Sequence, residues 1–157
     1  MWTSFSILLI PGQGSACSGI GILADVWGND AYISEKYSQG SALGDGIGLA
    51  FDYRGDDLWF STSYSQGKAS EDALSCLLDA FGDDTYIAYD NSQGRGLSKG
   101  EGLLVDIFGD DSYLSHTRSQ GCGDRGEDMA PSMGILVDTD GDDQYIACDS
   151  SQGFGRY

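Results

Sequence analysis

The sequence predicts an all-β fold, a parallel β-solenoid with about 27 residues per coil. Two observations lead to this prediction. The phrase D-x-x-G-[D/N]-D-x-[Y/W] occurs five times at a nearly constant step, beginning at Asp25, Asp52, Asp79, Asp106 and Asp138. An S-Q-G triplet follows each of these aspartates at a constant distance, beginning at Ser38, Ser65, Ser92, Ser119 and Ser151. A fixed period of this size is typical of stacked, near-identical units rather than of a domain with one unique core.

Aligning the phrases divides the 157 residues into one solenoid domain of five repeats with a degenerate partial repeat before them. The partial repeat covers residues 1–18, because Gln13 in Pro11-Gly-Gln-Gly14 lies nearly one repeat step before Gln39. Residues 127–131 form an insertion that lengthens the last step, and we expect it to loop out on one side. The five repeats are 19–45, 46–72, 73–99, 100–126 and 132–157.

Each repeat contains two short apolar runs, one before the first Asp and one after the G-D-D sequence. In the first repeat these runs are Ile22 to Ala24 and Tyr32 to Ile33. Both are too short for helices and are bounded by Gly and Asp, which indicates strands. Each repeat is therefore a strand, an acidic turn, a strand and an S-Q-G corner. Equivalent strands would pair in parallel about 4.8 Å apart; the alternative is an array of antiparallel hairpins closed by the acidic turns.

Side-chain alternation indicates which columns of residues point outward. If the first and third residues before the Asp point inward, the residue between them points outward, and the same rule turns the aromatic residue after the acidic turn outward. We interpret these two columns as a candidate interface: Leu23, Ala50, Leu77, Leu104 and Leu136, and Tyr32, Trp59, Tyr86, Tyr113 and Tyr145. Apolar residues on both faces of a strand suggest that something covers one face. The alternative is a wide coil with both columns inside.

The charge of the chain is concentrated in the acidic turns. The formal net charge is -17, from 25 acidic and 8 basic residues, and such a chain is repelled by nucleic acid and by anionic membranes. Stacked carboxylates about 4.8 Å apart repel by roughly 3 to 4 kcal/mol at an effective dielectric of about 20. Ca²⁺ relieves such repulsion, since it prefers six to eight hard oxygen ligands. One ion per coil would reduce the net charge to about -7.

The candidate metal ligands are the three acidic positions of each turn, with Asn29 at one of them and Asp140 as an extra acid in the fifth repeat. The motif glycine would allow the positive φ that such a loop needs. The alternative is that the aspartates only cap the turns by accepting bonds from nearby backbone N–H groups. The full set is Asp25, Asn29, Asp30, Asp52, Asp56, Asp57, Asp79, Asp83, Asp84, Asp106, Asp110, Asp111, Asp138, Asp140, Asp142 and Asp143.

This pattern resembles the calcium-binding Asp/Gly-rich β-solenoid repeats, such as the RTX nonapeptide G-G-x-G-x-D-x-U-x. The resemblance is in the motif only, since the longer period of this chain shows no ninefold subrepeat. The chain is also similar, over residues 12–157, to uncharacterised bacterial proteins with G-x-L-x-D-x-x-G-D-D-x-Y and S-Q-G repeats. The resemblance implies a parallel solenoid with calcium between its turns, usually in secreted or surface proteins.

The S-Q-G corners predict a structural ladder. Stacked glutamines can form an amide ladder in which each side chain donates to the next, while glycine lets the chain turn. The ladder residues would be Gln39, Gln66, Gln93, Gln120 and Gln152. The alternative is a flat strip of Ser and Gln that binds sugar or ice, although the threonines that ice-binding solenoids favour fall in four different columns.

Nothing in the sequence indicates an enzyme. The single histidine, His116, occupies a position that holds different residues in the other repeats. Catalytic carboxylate pairs are singular and differ in their environments, whereas these acids recur five times. No common nucleophile, zinc-protease or phosphate-loop motif occurs. The cysteines lack C-x-x-C spacing and are expected to be free thiols: Cys17, Cys76, Cys122 and Cys148.

The sequence therefore favours a non-enzymatic, calcium-stabilised structural or self-assembly module of an extracellular or cell-surface structure, with coils that can stack end to end into filaments. Its expected partner is a second copy or a larger parent chain. The alternative is a module that binds polysaccharide, or less favourably ice. The apolar start, Met1 to Ile10, lacks the basic region of a signal peptide and is too short to span a bilayer, so we expect no membrane insertion.

Overall fold

The structure, a computed structural model, describes residues 12–126, 130–150 and 152–155. Within these residues the chain forms strands and no helix. Equivalent strands of successive coils pair in parallel, for example Ile20 with Ile47, one repeat apart. The predicted β-solenoid is confirmed. The hairpin alternative is wrong, because every strand pairing in the described part of the chain is parallel.

Each of the five coils contributes one strand to each of three five-stranded sheets. Sheet 1 consists of β1 (Ala16–Cys17), β4 (Ala42–Leu43), β7 (Ala69–Ser70), β10 (Gly96–Leu97) and β13 (Gly123–Asp124). Sheet 2 consists of β2 (Ile20–Ala24), β5 (Ile47–Phe51), β8 (Leu74–Leu78), β11 (Glu101–Val105) and β14 (Met133–Val137). Sheet 3 consists of β3 (Ala31–Lys36), β6 (Leu58–Ser63), β9 (Thr85–Asp90), β12 (Ser112–Thr117) and β15 (Gln144–Asp149).

Sheets 2 and 3 correspond to the two predicted strands of each repeat, and sheet 1 is an addition. Its two-residue strands follow the S-Q-G corner and include pairs such as Ala69–Ser70 and Gly123–Asp124, which have no apolar pattern to reveal them. The five-residue insertion leaves the register intact, because Glu101 pairs with Met133 and the ladder continues to Val105 and Val137. Residues 127–129 of this insertion, and residues 1–11 of the predicted partial repeat, lie outside the described residues.

The core corrects the predicted direction of the side chains. Trp59, Tyr86, Leu77 and Leu104 are fully buried, and they belong to one cluster in which sheet 3 aromatics pack against sheet 2 aliphatics. The expectation that these columns face outward as an interface is therefore wrong, and they lie inside the coil as in the alternative. The corrected residues are Tyr32, Trp59, Tyr86 and Tyr113, with Tyr145 at the edge of the fifth coil, and Leu23, Ala50, Leu77, Leu104 and Leu136.

The first aspartate of each turn explains why the alternation is reversed. Asp52 is fully buried, so its side chain points inward. Because side chains alternate along a strand, Phe51 points outward and Ala50 inward. The aromatic rings of sheet 3 then stack along the interior, with centroids 3.8 to 6.5 Å apart between successive coils.

Candidate metal site inside the acidic turns

The acidic turn joins sheet 2 to sheet 3, and its glycine brings successive turns into close contact. Gly82 has φ of +155°, a conformation that residues with a Cβ rarely adopt. A Cβ on Gly82 would lie 1.5 Å from the carbonyl oxygen of Gly55 in the preceding coil. The motif glycine is therefore required both by its backbone conformation and by the packing of the coils, as we expected for the first of these reasons.

The first aspartate of the turn has two hydrogen-bonding roles. Asp52 Oδ1 accepts from the backbone N–H of Arg54 at 3.0 Å, so this aspartate caps its own turn. Asp52 Oδ2 accepts from the hydroxyl of Tyr32 in the preceding coil at 2.5 Å. The turn-capping alternative thus describes part of what these aspartates do, but the capping engages only one of the two carboxylate oxygens.

The aromatic column supplies donors that the sequence reasoning missed. Trp59 Nε1 donates to Asp79 Oδ2 at 2.9 Å, and the Tyr86 hydroxyl donates to Asp106 Oδ2 at 2.7 Å. Burial raises the pKa of Tyr86 well above its ordinary value, so its hydroxyl keeps its proton and remains a donor. The signal for this role is present in the sequence, since all five aromatic positions carry Tyr or Trp and none carries Phe.

In the second, third and fourth turns the last aspartate links adjacent coils through one oxygen and leaves its other oxygen without a hydrogen-bond donor. Asp84 Oδ1 accepts from the backbone N–H of Asp57 at 2.7 Å, and Asp111 Oδ1 accepts from that of Asp84 at 2.7 Å. The opposite oxygens are buried, and no donor among the described residues bonds to them. Buried carboxylate oxygens without a hydrogen-bond donor are Asp57 Oδ2, Asp84 Oδ2, Asp111 Oδ2, Asp106 Oδ1 and Asp138 Oδ1.

The middle position of the turn lies on the outside of the solenoid. Asp83 is exposed, donates its backbone N–H to Asp56 Oδ1 at 3.2 Å, and accepts through Oδ1 from the N–H of Asp110 at 3.0 Å. These side chains form a solvated outer column that caps backbone groups of neighbouring coils. The residues at this position, together with Asp140, belong to none of the clusters found in the described part of the chain: Asn29, Asp56, Asp83, Asp110 and Asp142.

The first and last aspartates converge in four clusters. Each cluster combines both aspartates of one turn with one from an adjacent coil, and brings one oxygen from each of the three within 4.8 Å of the others. In the central coils these aspartates are 0 to 3% exposed. Such clusters could hold metal ions. Their members are Asp25, Asp30 and Asp52; Asp52, Asp57 and Asp79; Asp84, Asp106 and Asp111; and Asp111, Asp138 and Asp143.

The electrostatics of the clusters require a neutralising charge. Burial, together with neighbouring carboxylates, raises the pKa of Asp57 to about 8, of Asp79 to about 7, of Asp84 to about 10 and of Asp111 to about 8. At neutral pH the interior therefore holds either shared protons or bound cations. A proton and a cation compete for the same oxygens, since only the deprotonated carboxylate is a good metal ligand.

The S-Q-G corner contains a seam of glutamines, but not the predicted amide ladder. Gln93 Nε2 donates to the backbone carbonyls of Tyr86 at 3.0 Å and of Leu114 in the next coil at 3.2 Å, rather than to another glutamine. Gln93 itself has φ of +53°, which aims its side chain back into the coil. The same pattern of two carbonyl acceptors in adjacent coils holds for Gln39, Gln66 and Gln120.

The histidine and the cysteines belong to none of the aspartate clusters in the described part of the chain. His116 is exposed on sheet 3. The four cysteines are free, with Cys17 and Cys148 exposed and Cys122 buried.

Comparisons with protein families, with curated proteins and with solved structures find no match for this chain. No helix in the described residues is long and apolar enough to cross a membrane. The functional interpretation therefore depends on the geometry of the acidic turns.

Proposed function

We propose that the protein is a non-enzymatic structural module whose inner aspartate clusters bind Ca²⁺ and thereby stabilise the stacked coils. The observation that carries this proposal is the set of buried carboxylate oxygens that no donor reaches, such as Asp84 Oδ2 and Asp106 Oδ1 in one cluster. A buried carboxylate oxygen without a donor costs free energy unless a proton or a cation neutralises it. In the cluster of Asp84, Asp106 and Asp111 each carboxylate has one such oxygen, and a cation held among them would remove that cost.

The donor set favours calcium over other metals. The clusters contain only carboxylates, which suit hard cations, and they contain no histidine or cysteine that would favour zinc or copper. Oxygens up to 4.8 Å apart fit around an ion with bonds of about 2.4 Å. Three carboxylates can supply up to about six oxygens. Mg²⁺ usually keeps several waters, for which the enclosed central clusters leave little room.

The clusters also suggest how many ions bind. Asp52 belongs to the first two clusters and Asp111 to the last two, so neighbouring ions would share a bridging carboxylate. Four divalent ions would carry eight positive charges and bring the formal net charge from -17 to -9. A shared carboxylate also couples neighbouring ions, because each ion helps to deprotonate and orient the ligand of the next.

The proposed role is structural because the same kind of cluster recurs four times along the described coils, whereas catalysis needs one asymmetric site. We include end-to-end stacking in the proposal. In the fifth coil the interior columns border an open hollow of about 580 Å³ lined by Gln120, Asp138 and Tyr145, and Tyr145 is 40% exposed. A further coil stacked on the fifth would cover it. A location outside the cell, where free Ca²⁺ suits modules of modest affinity, completes the proposal.

The polysaccharide alternative loses its main support. It relied on repeated Ser, Gln and Tyr side chains that sugars could reach. The Ser and Gln of the corner are buried, as Gln66 and Gln93 show at 0% exposure, and Tyr86 and Tyr113 are buried as well.

Calcium calorimetry combined with thermal melting tests the proposal. We expect saturable binding of up to four ions per chain, proton release that changes the measured heat between buffers, and a melting temperature that rises with Ca²⁺ and falls with EDTA. A melting temperature indifferent to both would overturn the calcium proposal. The same titration followed by light scattering tests stacking: growth of rod-like particles supports it, and a particle of constant mass contradicts it.

A further inference from the structure

The four aspartate clusters divide into two pairs. The first and second clusters share Asp52, and the third and fourth share Asp111. Among the described residues no aspartate belongs to both the second and the third cluster, since Asp79 of the third turn joins the second cluster and Asp84 joins the third. The first two clusters are called the N-terminal pair here, and the last two the C-terminal pair. An ion in one pair therefore has a bridging carboxylate only to the other ion of that pair.

The first aspartates of the turns make different hydrogen bonds in the two pairs. In the first three turns this aspartate caps its own turn, because its Oδ1 accepts from the backbone N–H of Val26, Arg54 or Ala80. In the fourth and fifth turns, Asp106 Oδ1 and Asp138 Oδ1 are buried and have no donor within the described part of the chain. A buried first-aspartate oxygen without a donor is thus confined, in the described coils, to the C-terminal pair.

The aromatic donors follow the same division. Tyr32 and Trp59 each donate to the first aspartate of the next coil, whose other oxygen caps the turn. Asp106 instead receives two hydroxyls at Oδ2, from Tyr86 of the preceding coil at 2.7 Å and from Tyr113 of its own coil at 3.2 Å. Both donors engage the same oxygen, so the other oxygen is left for a different partner.

The second and third clusters show the contrast most clearly, because both lie in the central coils. In the second cluster both oxygens of Asp52 and both of Asp79 accept hydrogen bonds. Asp57 Oδ2 is the one buried oxygen of that cluster with no donor among the described residues. In the third cluster each of the three carboxylates has such an oxygen: Asp84 Oδ2, Asp106 Oδ1 and Asp111 Oδ2.

We propose that Ca²⁺ fills the solenoid in two steps, first the C-terminal pair and then the N-terminal pair. This filling order rests on the calcium-binding function proposed above, since it ranks the affinities of the same clusters. An ion in the third cluster satisfies three buried oxygens and removes the cost of leaving them without a partner. An ion in the second cluster satisfies one such oxygen and competes with hydrogen-bond donors for the others. The bridging carboxylate couples the two ions of a pair, so each step takes up two.

The two steps give the protein two calcium thresholds. The C-terminal pair joins the third, fourth and fifth coils, and the N-terminal pair joins the first, second and third. At an intermediate Ca²⁺ concentration the C-terminal coils are therefore held together by ions, while the N-terminal coils depend on their hydrogen bonds. The acidic turns, although nearly identical in sequence, thus respond to calcium over different concentration ranges.

Terbium luminescence tests the order without changing any ligand. Tb³⁺ takes the same oxygen ligands as Ca²⁺ and emits when an aromatic ring beside it absorbs light. Trp59 donates to Asp79 of the N-terminal pair. Tyr86 donates to Asp106 of the C-terminal pair. On a Trp2→Phe background, we expect emission excited through tyrosine to rise from the first addition of Tb³⁺, and emission excited through tryptophan alone to appear only after about two ions per chain have bound.

The choice of background makes tryptophan a reporter of one pair. Trp2→Phe removes the tryptophan that lies outside the described residues. Trp27 stays in place, because it belongs to the first turn, where its backbone N–H donates to Asp25 of the N-terminal pair. Every tryptophan that remains is therefore close to a ligand of the N-terminal pair.

Calorimetry with Ca²⁺ and two matched variants gives a second readout. Asp79 and Asp106 hold equivalent positions one repeat apart, and each accepts from the aromatic residue of the preceding coil. The parent should bind in two steps of two ions, with dissociation constants at least about tenfold apart. Asp106→Asn should weaken the first step at least about tenfold, whereas Asp79→Asn should weaken the second to the same extent. Asp83→Asn, in the outer column, is the control and should change neither step.

The outcomes separate the filling order from calcium binding itself. Tryptophan-excited emission that appears with or before tyrosine-excited emission would overturn the order, and so would four ions that bind in a single step. A first step that Asp79→Asn weakens and Asp106→Asn does not would assign the tighter sites to the N-terminal pair and contradict the proposal. In each of these cases calcium binding stands. Absence of any saturable binding would overturn the calcium proposal together with the order.

Discussion

Asp83 and Asp84 are adjacent in the chain and chemically identical, yet they lie in opposite environments. Asp84 is 1% exposed, has a pKa of about 10 because of burial, and belongs to a three-aspartate cluster. Asp83 is exposed and caps a backbone N–H of the next coil. The difference teaches that the direction of the side chain, set by the turn, determines which acids create an electrostatic problem. The outer column is ordinary solvated charge, and the inner clusters need a proton or a cation.

The largest expected effect comes from a substitution in the acidic turn, which directs some aspartates into the inner clusters and others into the outer column. Gly82→Ala places a methyl group 1.5 Å from the carbonyl of Gly55 and forces a residue with a Cβ to φ of +155°. Neither the close contact nor the backbone conformation can relax unless the two coils move apart. We expect a loss of about 4 kcal/mol or more, or failure to fold, measured by circular dichroism during thermal melting.

Gly155→Ala is the matched control for this change. A Cβ on Gly155 meets nothing within 4 Å, and Gly155 does not have a positive φ. Its melting temperature should stay within about 2 °C of the parent. Equal losses in the two variants would mean that the turn geometry is not what holds the coils together.

The second-largest effect is a dependence of stability on pH, which comes only from the aspartates of the inner clusters. The folded pKa values of Asp57, Asp84 and Asp111, about 8 to 10, exceed their unfolded value of 3.8. A raised pKa in the folded state gives stability that is fully present below the unfolded pKa and is lost as pH rises through the folded value. In EDTA, the melting temperature should therefore fall by about 10 °C or more between pH 5 and pH 9.

Calcium should reverse much of this loss of stability, because it neutralises the carboxylates that are deprotonated at high pH. Melting curves at pH 5, 7 and 9 with and without Ca²⁺ measure the effect, and the difference between the two series should increase with pH. A melting temperature in EDTA that rises from pH 5 to pH 9 would contradict the buried clusters.

The sequence predicts the fold well because the fold follows from its period. Five phrases at a nearly constant step allow little else, and parallel pairing at that step is what the structure has. Sheet 1 escaped prediction because a two-residue strand such as Gly96–Leu97 has no periodicity of its own and exists only through its neighbours. Its hydrogen bonds form only between successive coils, and the residues of one short strand do not predict them.

The candidate site was predictable in kind and not in detail. The aspartates and the glycine were identified, but the strand alternation was assigned the wrong way round, because apolar residues such as Leu49 and Ala50 occupy both faces of sheet 2. Hydrophobicity alone does not show which face of the sheet points inward. The aromatic hydrogen-bond donors show it, since Tyr86 must point inward to reach Asp106.

The smallest expected effect distinguishes, at one residue, neutralisation by a proton from neutralisation by a bound cation. Asp84→Asn keeps an oxygen for the N–H of Asp57 and mimics the neutral acid, so in EDTA at pH 7 the free energy of unfolding should change by less than about 1 kcal/mol. In Ca²⁺ the variant lacks a ligand of its cluster and should lose about 2 to 3 kcal/mol of the calcium-dependent gain. Asp83→Asn, its exposed neighbour, should change neither value by more than about 0.5 kcal/mol. Chemical denaturation of both variants with and without Ca²⁺ measures the four values. If Asp83→Asn were the variant that lost the calcium response, the outer column would be the metal site and the inner carboxyls would be held by protons alone.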